Sequence, residues 1–329
     1  MTLTRRAFTL SGLGTASLSA ASNVRAGSRP GPLRILVAQP AGGVTDAFAR
    51  AVAPELGRRL GGDAVVENLP GASGSIAASH LLSAAPDGTT VFVGSPSETL
   101  LAPLMLRAVR YKPTAFRLLG LINDSPLALY ARHDLPANNL DELVAFARKR
   151  GGQPLNYGST GQGSLFHLVT ETLLSTTGIK ATHVPYRGGM PMLNDLRGGS
   201  IDFTVLPVDA LLDNIVAAGH IKVLGVFAEQ RLARFPTAPT VAEGRWAKGV
   251  VESSIWVGLL VSAAVSDTTS ARLHTAVTET LADTEVRRAI NAVGGSVPAR
   301  MSLREAERFY ASDAMKLRAL VKAAQVEPI

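Results

Sequence analysis

Two glycine-rich segments, Ala41-Gly42-Gly43-Val44-Thr45-Asp46 and Gly158-Ser159-Thr160-Gly161-Gln162-Gly163-Ser164, each leave a short apolar run and open an amphipathic stretch, in widely separated parts of the chain. A chain that repeats strand, glycine turn and helix in this way is restricted to layered α/β architectures. A helix N-terminus at such a turn carries N–H groups with no intrahelical partner and about half a positive charge, so it can hold a carboxylate or phosphate without lysine or arginine. Two turns of this kind facing each other clamp a small anion between two lobes.

The first unit reads as strand 33–38, then a helix capped by Thr45 with Phe48, Val52, Leu56 and Leu60 on its apolar face, stopped by Gly61 and Gly62. Strand 64–67, the glycine turn at 71–75, a helix, strand 89–94 and a short helix from Ser95-Pro96-Ser97 follow. Ligands of open α/β sheets lie at the carboxyl ends of the strands, so the turns at 41–46, 71–75 and 94–98 belong to one rim. A second set begins with strand 127–131 and continues with helix 140–150 capped by Asn139, strand 155–157, helix 164–176, strand 181–184, a helix to Arg197, strand 201–206, helix 208–217 and strand 222–228. A proline-rich connector, strand 254–262 and helices 266–282, 285–292 and 302–326 complete the chain. The two sets look too even for a single sheet. Lobe 1 is expected over 27–125 and 229–329 and lobe 2 over 126–228.

Thr4-Arg5-Arg6-Ala7-Phe8 ahead of the small-residue stretch Leu10 to Ala21 is a twin-arginine export pattern, and cleavage after Ala26 is expected. Its removal takes away Arg5, Arg6 and Arg25 and no acid, so the formal charge falls from +7 to +4. That balance suits anionic ligands. With 5% aromatics and no basic stripe interleaved with them, it does not point to nucleic acid. The chain has no cysteine, which excludes disulfides, thiolate metal sites and a cysteine nucleophile, and the fold must rest on its core alone. No apolar run long enough to span a membrane follows the signal.

Enzyme signatures fail on inspection. His80, His133, His167, His183, His220 and His274 show no metal-ligand spacing. Ser159 lacks the glycine two positions before it that a nucleophile elbow requires, and neither a dinucleotide fingerprint nor a phosphate loop is present. An exported hydrolase using Ser159 or Ser164 with His167 remains as an alternative, without an acid obviously placed to orient the histidine. Each residue also has a plain structural role open to it. The glycines serve as connectors, Asp46 stabilises its helix start, His167 packs, and Arg187 pairs with Asp202. Glu98 is an unusual anion beside an anion-binding rim. Pointing inward it suits a ligand amine or hydroxyl; pointing outward, the favoured reading, it is a first-turn acid stabilised by the helix dipole.

Gly42-Gly43-Val44-Thr45-Asp46, Glu67-Asn68-Leu69-Pro70-Gly71-Ala72-Ser73-Gly74, Ala85-Pro86-Asp87-Gly88-Thr89 and above all Val184-Pro185-Tyr186-Arg187-Gly188-Gly189 through Gly198-Gly199-Ser200-Ile201-Asp202 resemble, in order, the Bug family of periplasmic receptors for tripartite tricarboxylate transporters. The resemblance continues through Pro239-Thr240-Val241-Ala242-Glu243 and Trp256-Val257-Gly258. It implies a two-lobed, Venus-flytrap (type II-like) periplasmic binding protein, a monomer without cofactor or metal. A small mono- or dicarboxylate would lie in the interlobe cleft and pass to membrane permease subunits, or feed a signalling sensor. It implies ligand contacts at Gly42, Gly43, Thr45, Asp46, Gly74, Ser75, Ser95, Ser97, Ser159, Thr160, Gly161, Ser164, His167, Arg187 and Asp202. Gln39-Pro40-Ala41, where the family usually has an aromatic and prolines, departs from the pattern.

Overall fold

The computed structural model describes residues 31–186, 188–246 and 253–328, so the export signal and Arg187 lie outside the described residues. In chain order the elements are β1 (Leu33–Val37), α1 (Val44–Leu60), β2 (Ala64–Asn68), α2 (Ser75–Ser83), β3 (Thr90–Gly94), α3 (Ala102–Met105), β4 (Phe116–Arg132), α4 (Leu140–Lys149), β5 (Leu155–Ser159), α5 (Leu165–Thr177), β6 (Ala181–Pro185), α6 (Gly189–Gly198), β7 (Phe203–Pro207), α7 (Ala210–Ala217), β8 (Ile221–Val226), β9 (Ser254–Ser262), α8 (Asp267–Ala282), α9 (Thr284–Ala292) and α10 (Leu303–Ala324). A π-helical turn, Ser97–Leu101, leads into α3. Among the described residues no helix is long and apolar enough to cross a membrane.

The strands run in the order β2-β1-β3-β9-β4-β7-β5-β6, with β8 also on β4. β1 pairs in parallel with β2 and β3, and β9 enters antiparallel between β3 and the first part of β4. The last part of β4, from Leu127, pairs antiparallel with β7 and β8, while β5 lies parallel between β6 and β7. The two sets of units therefore form two sheets of matching plan, β2-β1-β3 answering β6-β5-β7, joined through a single strand.

That strand corrects the sequence reading, which begins it at Leu127 instead of Phe116. Gly120 and Asn123-Asp124-Ser125-Pro126 interrupt the apolar pattern and read as a break. The structure accommodates the first interruption with register shifts at Leu118/Gly120 and Leu121/Asn123, the local irregularity that bulges introduce. The boundary expected at 125–126 falls inside β4.

Packing follows from the residue pattern. Leu33, Ile35 and Val37 alternate with Leu36 across the two faces of β1, and each face is covered. One core joins Ile35 and Val37 to Phe48, Val52 and Leu56 of α1 and to Leu273 and Val277 of α8. Burial of that face carries α1 through Pro54, at a site where proline costs about 3 kcal/mol of helix stability. A second core runs without interruption from Leu36 and Phe92 through Leu129, Tyr157 and Phe203, covered by Tyr310 and Leu317 of α10. A third, around Tyr130, Met192 and Leu206, fills the other face of the second sheet.

Candidate functional site

The carboxyl ends of β1, β2 and β3 lead to the segments before α1, α2 and Ser97, and those of β5, β6 and β7 to the segments before α5, α6 and α7. Three of the helix starts on these rims differ from the rest, while α5 and α7 on the same rims are capped by the side chains of Ser164 and Asp209. α1, α2 and α6 have glycine N-caps, Gly43, Gly74 and Gly188, and none makes a side-chain capping bond. α4, α8, α9 and α10 are each capped by a side chain, from Asn139, Ser266, Asp283 and Ser302. Side-chain caps satisfy N–H groups that glycine leaves for another acceptor. Thr45, expected to be the cap of α1, is instead inside its first turn, because Gly43 already has the extended backbone that an N-cap adopts.

In the turn after β1, Asp46 is buried and its carboxylate is fully used. Oδ2 accepts from Gly42 N (2.9 Å) and Arg50 Nε (2.9 Å), and Oδ1 accepts from Asn68 Nδ2 (2.9 Å). Asn68 Nδ2 also donates to Gln39 O at 3.0 Å, tying β2 to the turn. The Arg50 hydrogen bond leads the effects that hold Asp46 down at about 2. Asp46 is thus a charged brace that closes the turn, and its partner Arg50 offsets its charge beside the α1 N-terminus.

Ser95 is equally engaged. Its hydroxyl donates to Glu98 Oε2 (2.7 Å) and accepts from Ser97 N (3.2 Å). Glu98 overturns the favoured outward reading: it is buried, turned into the lobe, and hydrogen-bonded to Ser95 and Gln39. Ser75 is buried at the start of α2, and Ser97 is half-buried.

On the second rim the turn after β5 is built around neutral rings. His167 Nδ1 accepts from Gly163 N (3.0 Å), and the Ser164 hydroxyl accepts from His167 N (3.3 Å), capping α5. The His167 ring stacks on His183 with centroids 4.1 Å apart, and His183 stacks on Tyr157 at 4.9 Å. Tyr157 donates to the Glu171 carboxylate and stacks on Phe203. Burial pushes His167 below its usual value, and burial followed by the neighbouring His167 takes His183 to about 4, so both rings are neutral near pH 7. His167 therefore packs, as its plain role allowed. Thr160 and Gly161 sit half-buried at the crest of the turn. At Gly163, φ is +74° and a Cβ would stand 3.3 Å from Met105 of α3, so glycine allows this turn to lie against the first lobe.

Ser159 pairs with His183, not with His167. Its Oγ lies 2.7 Å from His183 Nε2 and 3.0 Å from Gly161 O, with the side chain fully buried. A serine shielded in this way, tied to its own turn, has no path to a carbonyl carbon. Asp202 is a second correction. It sits at the start of β7, where its carboxylate accepts from Arg132 Nε (3.0 Å) and Asn156 N (2.8 Å), at the rim opposite Ser159. The motif placed it near the site because it closes a glycine-rich stretch, but a five-residue strand separates its end from the ligand rim. Tyr186, beside the undescribed Arg187, donates to Asp195 Oδ2 at 2.6 Å. Sequence reasoning missed Gln39, Asn68 and His183 as parts of this machinery. Only Gln39 had a signal, as a departure from the family pattern. Among the described residues no group of His, Asp and Glu is placed to hold a metal ion.

Comparisons with known proteins agree with this fold. The model of the tripartite tricarboxylate transporter family receptor matches residues 48–326. A UPF0065 protein of Bordetella pertussis is 34% identical over 79% of this chain and 80% of its own length. The structure of Rhodopseudomonas palustris Rpa4515 with adipate superposes with a TM-score of 0.77 at 29% identity, covering 91% of this chain and 98% of that one. That of MatC (Rpa3494) from the same organism with bound malate gives 0.75 at 25% identity, covering 88% and 98%. Periplasmic binding proteins of this kind are solute receptors, and the chain is a receptor and not an enzyme. With its family model spanning nearly all of the described chain, the protein belongs to the tripartite tricarboxylate transporter receptor family.

Proposed function

We propose that the protein is a periplasmic receptor that closes two lobes, 27–125 with 229–329 and 126–228, around a small organic anion and delivers it to the membrane subunits of a tripartite tricarboxylate-type transporter. The observation that carries this reading is the set of glycine N-caps at the rims. The N-termini of α1, α2 and α6 lack side-chain caps, whereas α5 and α7 on the same rims and α4, α8, α9 and α10 elsewhere have them. Uncapped N–H groups and helix dipoles suit a carboxylate without requiring a lysine or arginine beside it. Gly42, Gly43 and Thr45 then provide the first lobe's grip, with Gly74, Ser75 and Ser97 beside it. Thr160, Gly161 and Ser164 provide the second lobe's, and Asp46, Ser95, Ser159 and His167 hold those turns in shape.

Adipate in Rpa4515 and malate in MatC make dicarboxylates the first class to test. Closure follows because donors on both lobes meet the ligand only when the lobes are together, so binding shifts the population towards the closed form. Export by the twin-arginine route and a monomeric state complete the proposal. The test is a thermal-shift screen of mono-, di- and tricarboxylates followed by calorimetry. A saturable rise in melting temperature with one acid, which is not consumed, is the expected result. Absence of any shift across the panel, with the protein folded, sinks the reading.

A further inference from the structure

Glu98 follows a serine in the turn Ser97–Leu101 and is only 2% exposed. Its carboxyl group gathers the three turns of the first rim at one point. Oε2 accepts from both the backbone N and the Oγ of Ser95, each at 2.7 Å, in the turn after β3. Oε1 accepts from Gln39 Nε2 at 2.7 Å, in the turn after β1. The turn before α2 closes over it: at Gly74, φ is +82°, and a Cβ would stand 2.1 Å from Glu98 Cγ and 2.9 Å from Ala38 Cβ. A buried carboxyl group with this many structural ties normally has a cation beside it. This one has none among its interactions, and burial is the leading influence, raising it against the Ser95 and Gln39 hydrogen bonds.

Among the described residues no cationic side chain is paired with Glu98. Tyr111 donates to the Glu98 carbonyl oxygen at 2.6 Å, and Tyr310 of α10 lies beyond it; burial pushes both phenols up, so neither ionises near neutrality. Asp313 of α10 accepts from Trp256 Nε1 instead. On β1 and α2, Arg34 is paired with Glu67 and lies 3.2 Å from His80. Asp46 is braced by Arg50.

We propose that Glu98 is the positioning residue of the first lobe's half of the anion site, and that a carboxylate occupies that half only when the Glu98 carboxyl group carries a proton. An ionised Glu98 directly beneath the α2 N-cap opposes an incoming anion in a poorly screened setting, whereas the neutral acid keeps the three turns in register without that charge. Gln39, one of the departures from the family pattern, supplies the acceptor: its buried Oε1 has no hydrogen-bond partner, and a turn of the amide presents it to the proton on Glu98 Oε1. The inference rests on the carboxylate-receptor reading and makes it proton-linked.

The test titrates malate and adipate into the full chain by calorimetry from pH 6.5 to 9, where both acids are fully ionised. Wild type should lose at least tenfold in affinity as pH rises and take up protons on binding, measured in buffers of differing ionisation enthalpy. Glu98→Gln should bind within about threefold of the low-pH wild type and show no slope. Glu98→Ala should be weaker at every pH, since Ser95 and Gln39 lose their acceptor. A shared slope in wild type and Glu98→Gln, or a flat wild type, overturns the inference and leaves the receptor reading intact.

Failure of both acids to bind folded wild type overturns the dicarboxylate reading and, with it, the proton-linked binding. A ligand-free arm still reports the proton itself. A raised native value means that Glu98 stabilises the fold fully below its unfolded value and loses that contribution as pH rises through the native one. Wild type should therefore lose melting temperature against Glu98→Gln on going to alkaline pH, and parallel curves exclude a protonated Glu98. If Glu98→Gln does not fold, Gln39→Met, which removes a bond that lowers Glu98, should move the affinity slope to higher pH; an unmoved slope overturns the inference.

Discussion

The turn after β1 and the turn after β5 occupy matching positions in their sheets, yet they are held by opposite means. The first is braced by charge: Asp46, Arg50 and Asn68 bind one another around the Gly42 amide. The second is braced by stacked neutral rings, with His167 accepting from the Gly163 amide and His183 tied to Ser159. The first brace reaches back to the turn from Asp46 and Arg50 inside α1 and leaves its N-cap, Gly43, without a side-chain bond, while the second includes Ser164, which caps α5. Either brace fixes a glycine turn, but of the two only the first leaves its helix without a side-chain cap. On the proposed reading, the first lobe is the stronger anion anchor and the second the better determinant of shape.

The comparison is broken most severely by giving the first turn a side-chain cap, which the second turn already has in Ser164. Gly43 has an extended backbone and room for a side chain, with a Cβ 3.4 Å from Pro40 O. Gly43→Asp should therefore fold as well as wild type or better, yet lose carboxylate affinity by about 2.7 kcal/mol, on the order of a hundredfold. Loss of stability together with affinity would show that the turn was merely distorted.

Next in size is the charged brace. Asp46→Asn should cost about 1–3 kcal/mol in chemical denaturation at pH 7, because Arg50 and the Gly42 amide lose a charged acceptor. Asp46 is lowered in the native state, so its contribution is complete above the usual carboxylate value and is lost as pH falls from about 4 to about 2. The variant should lack that acid limb, and an unchanged limb would place the proton uptake elsewhere.

The ring brace has a different window. His183 is lowered to about 4, so the unfolded chain binds the extra proton first, and stability should fall as pH drops from about 6.5 to about 4. His183→Gln should flatten that segment of the melting curve. Smallest is Asp202→Asn at the opposite rim. Its expected cost is about 1 kcal/mol in stability, with carboxylate affinity unchanged within about threefold. A large affinity loss would return Asp202 to the site.

Much of this was legible in the residues. The helix from Val44 was marked by Phe48, Val52 and Leu56 at helical spacing and by Gly61 at its end, and α4 by Asn139, because periodicity and caps are local physics. The turns were legible for the same reason. The through-running β4 was not, since Asn123 to Pro126 reads as loop until β9 supplies a partner strand. Nor were the partners of Ser159 and Glu98 visible. His183 reaches Ser159 from the neighbouring strand β6 and Gln39 reaches Glu98 from the turn after β1, and such contacts are set by sheet order, which periodicity does not encode.

The position of β9 has a consequence for how the molecule assembles. β3 and β4 follow each other in the chain but do not pair; residues 254–262 must arrive and insert between them. The strands of the second sheet, from the end of β4 to β8, are complete by Val226, so during synthesis they can close first while β3 waits with an open edge. That late, long-range insertion is a slow step, and an unpaired edge invites association with other chains. A chain truncated before Ser254 should therefore accumulate as aggregate with its second sheet formed, and a full chain should refold in two phases, the slower one reporting the burial of Trp256.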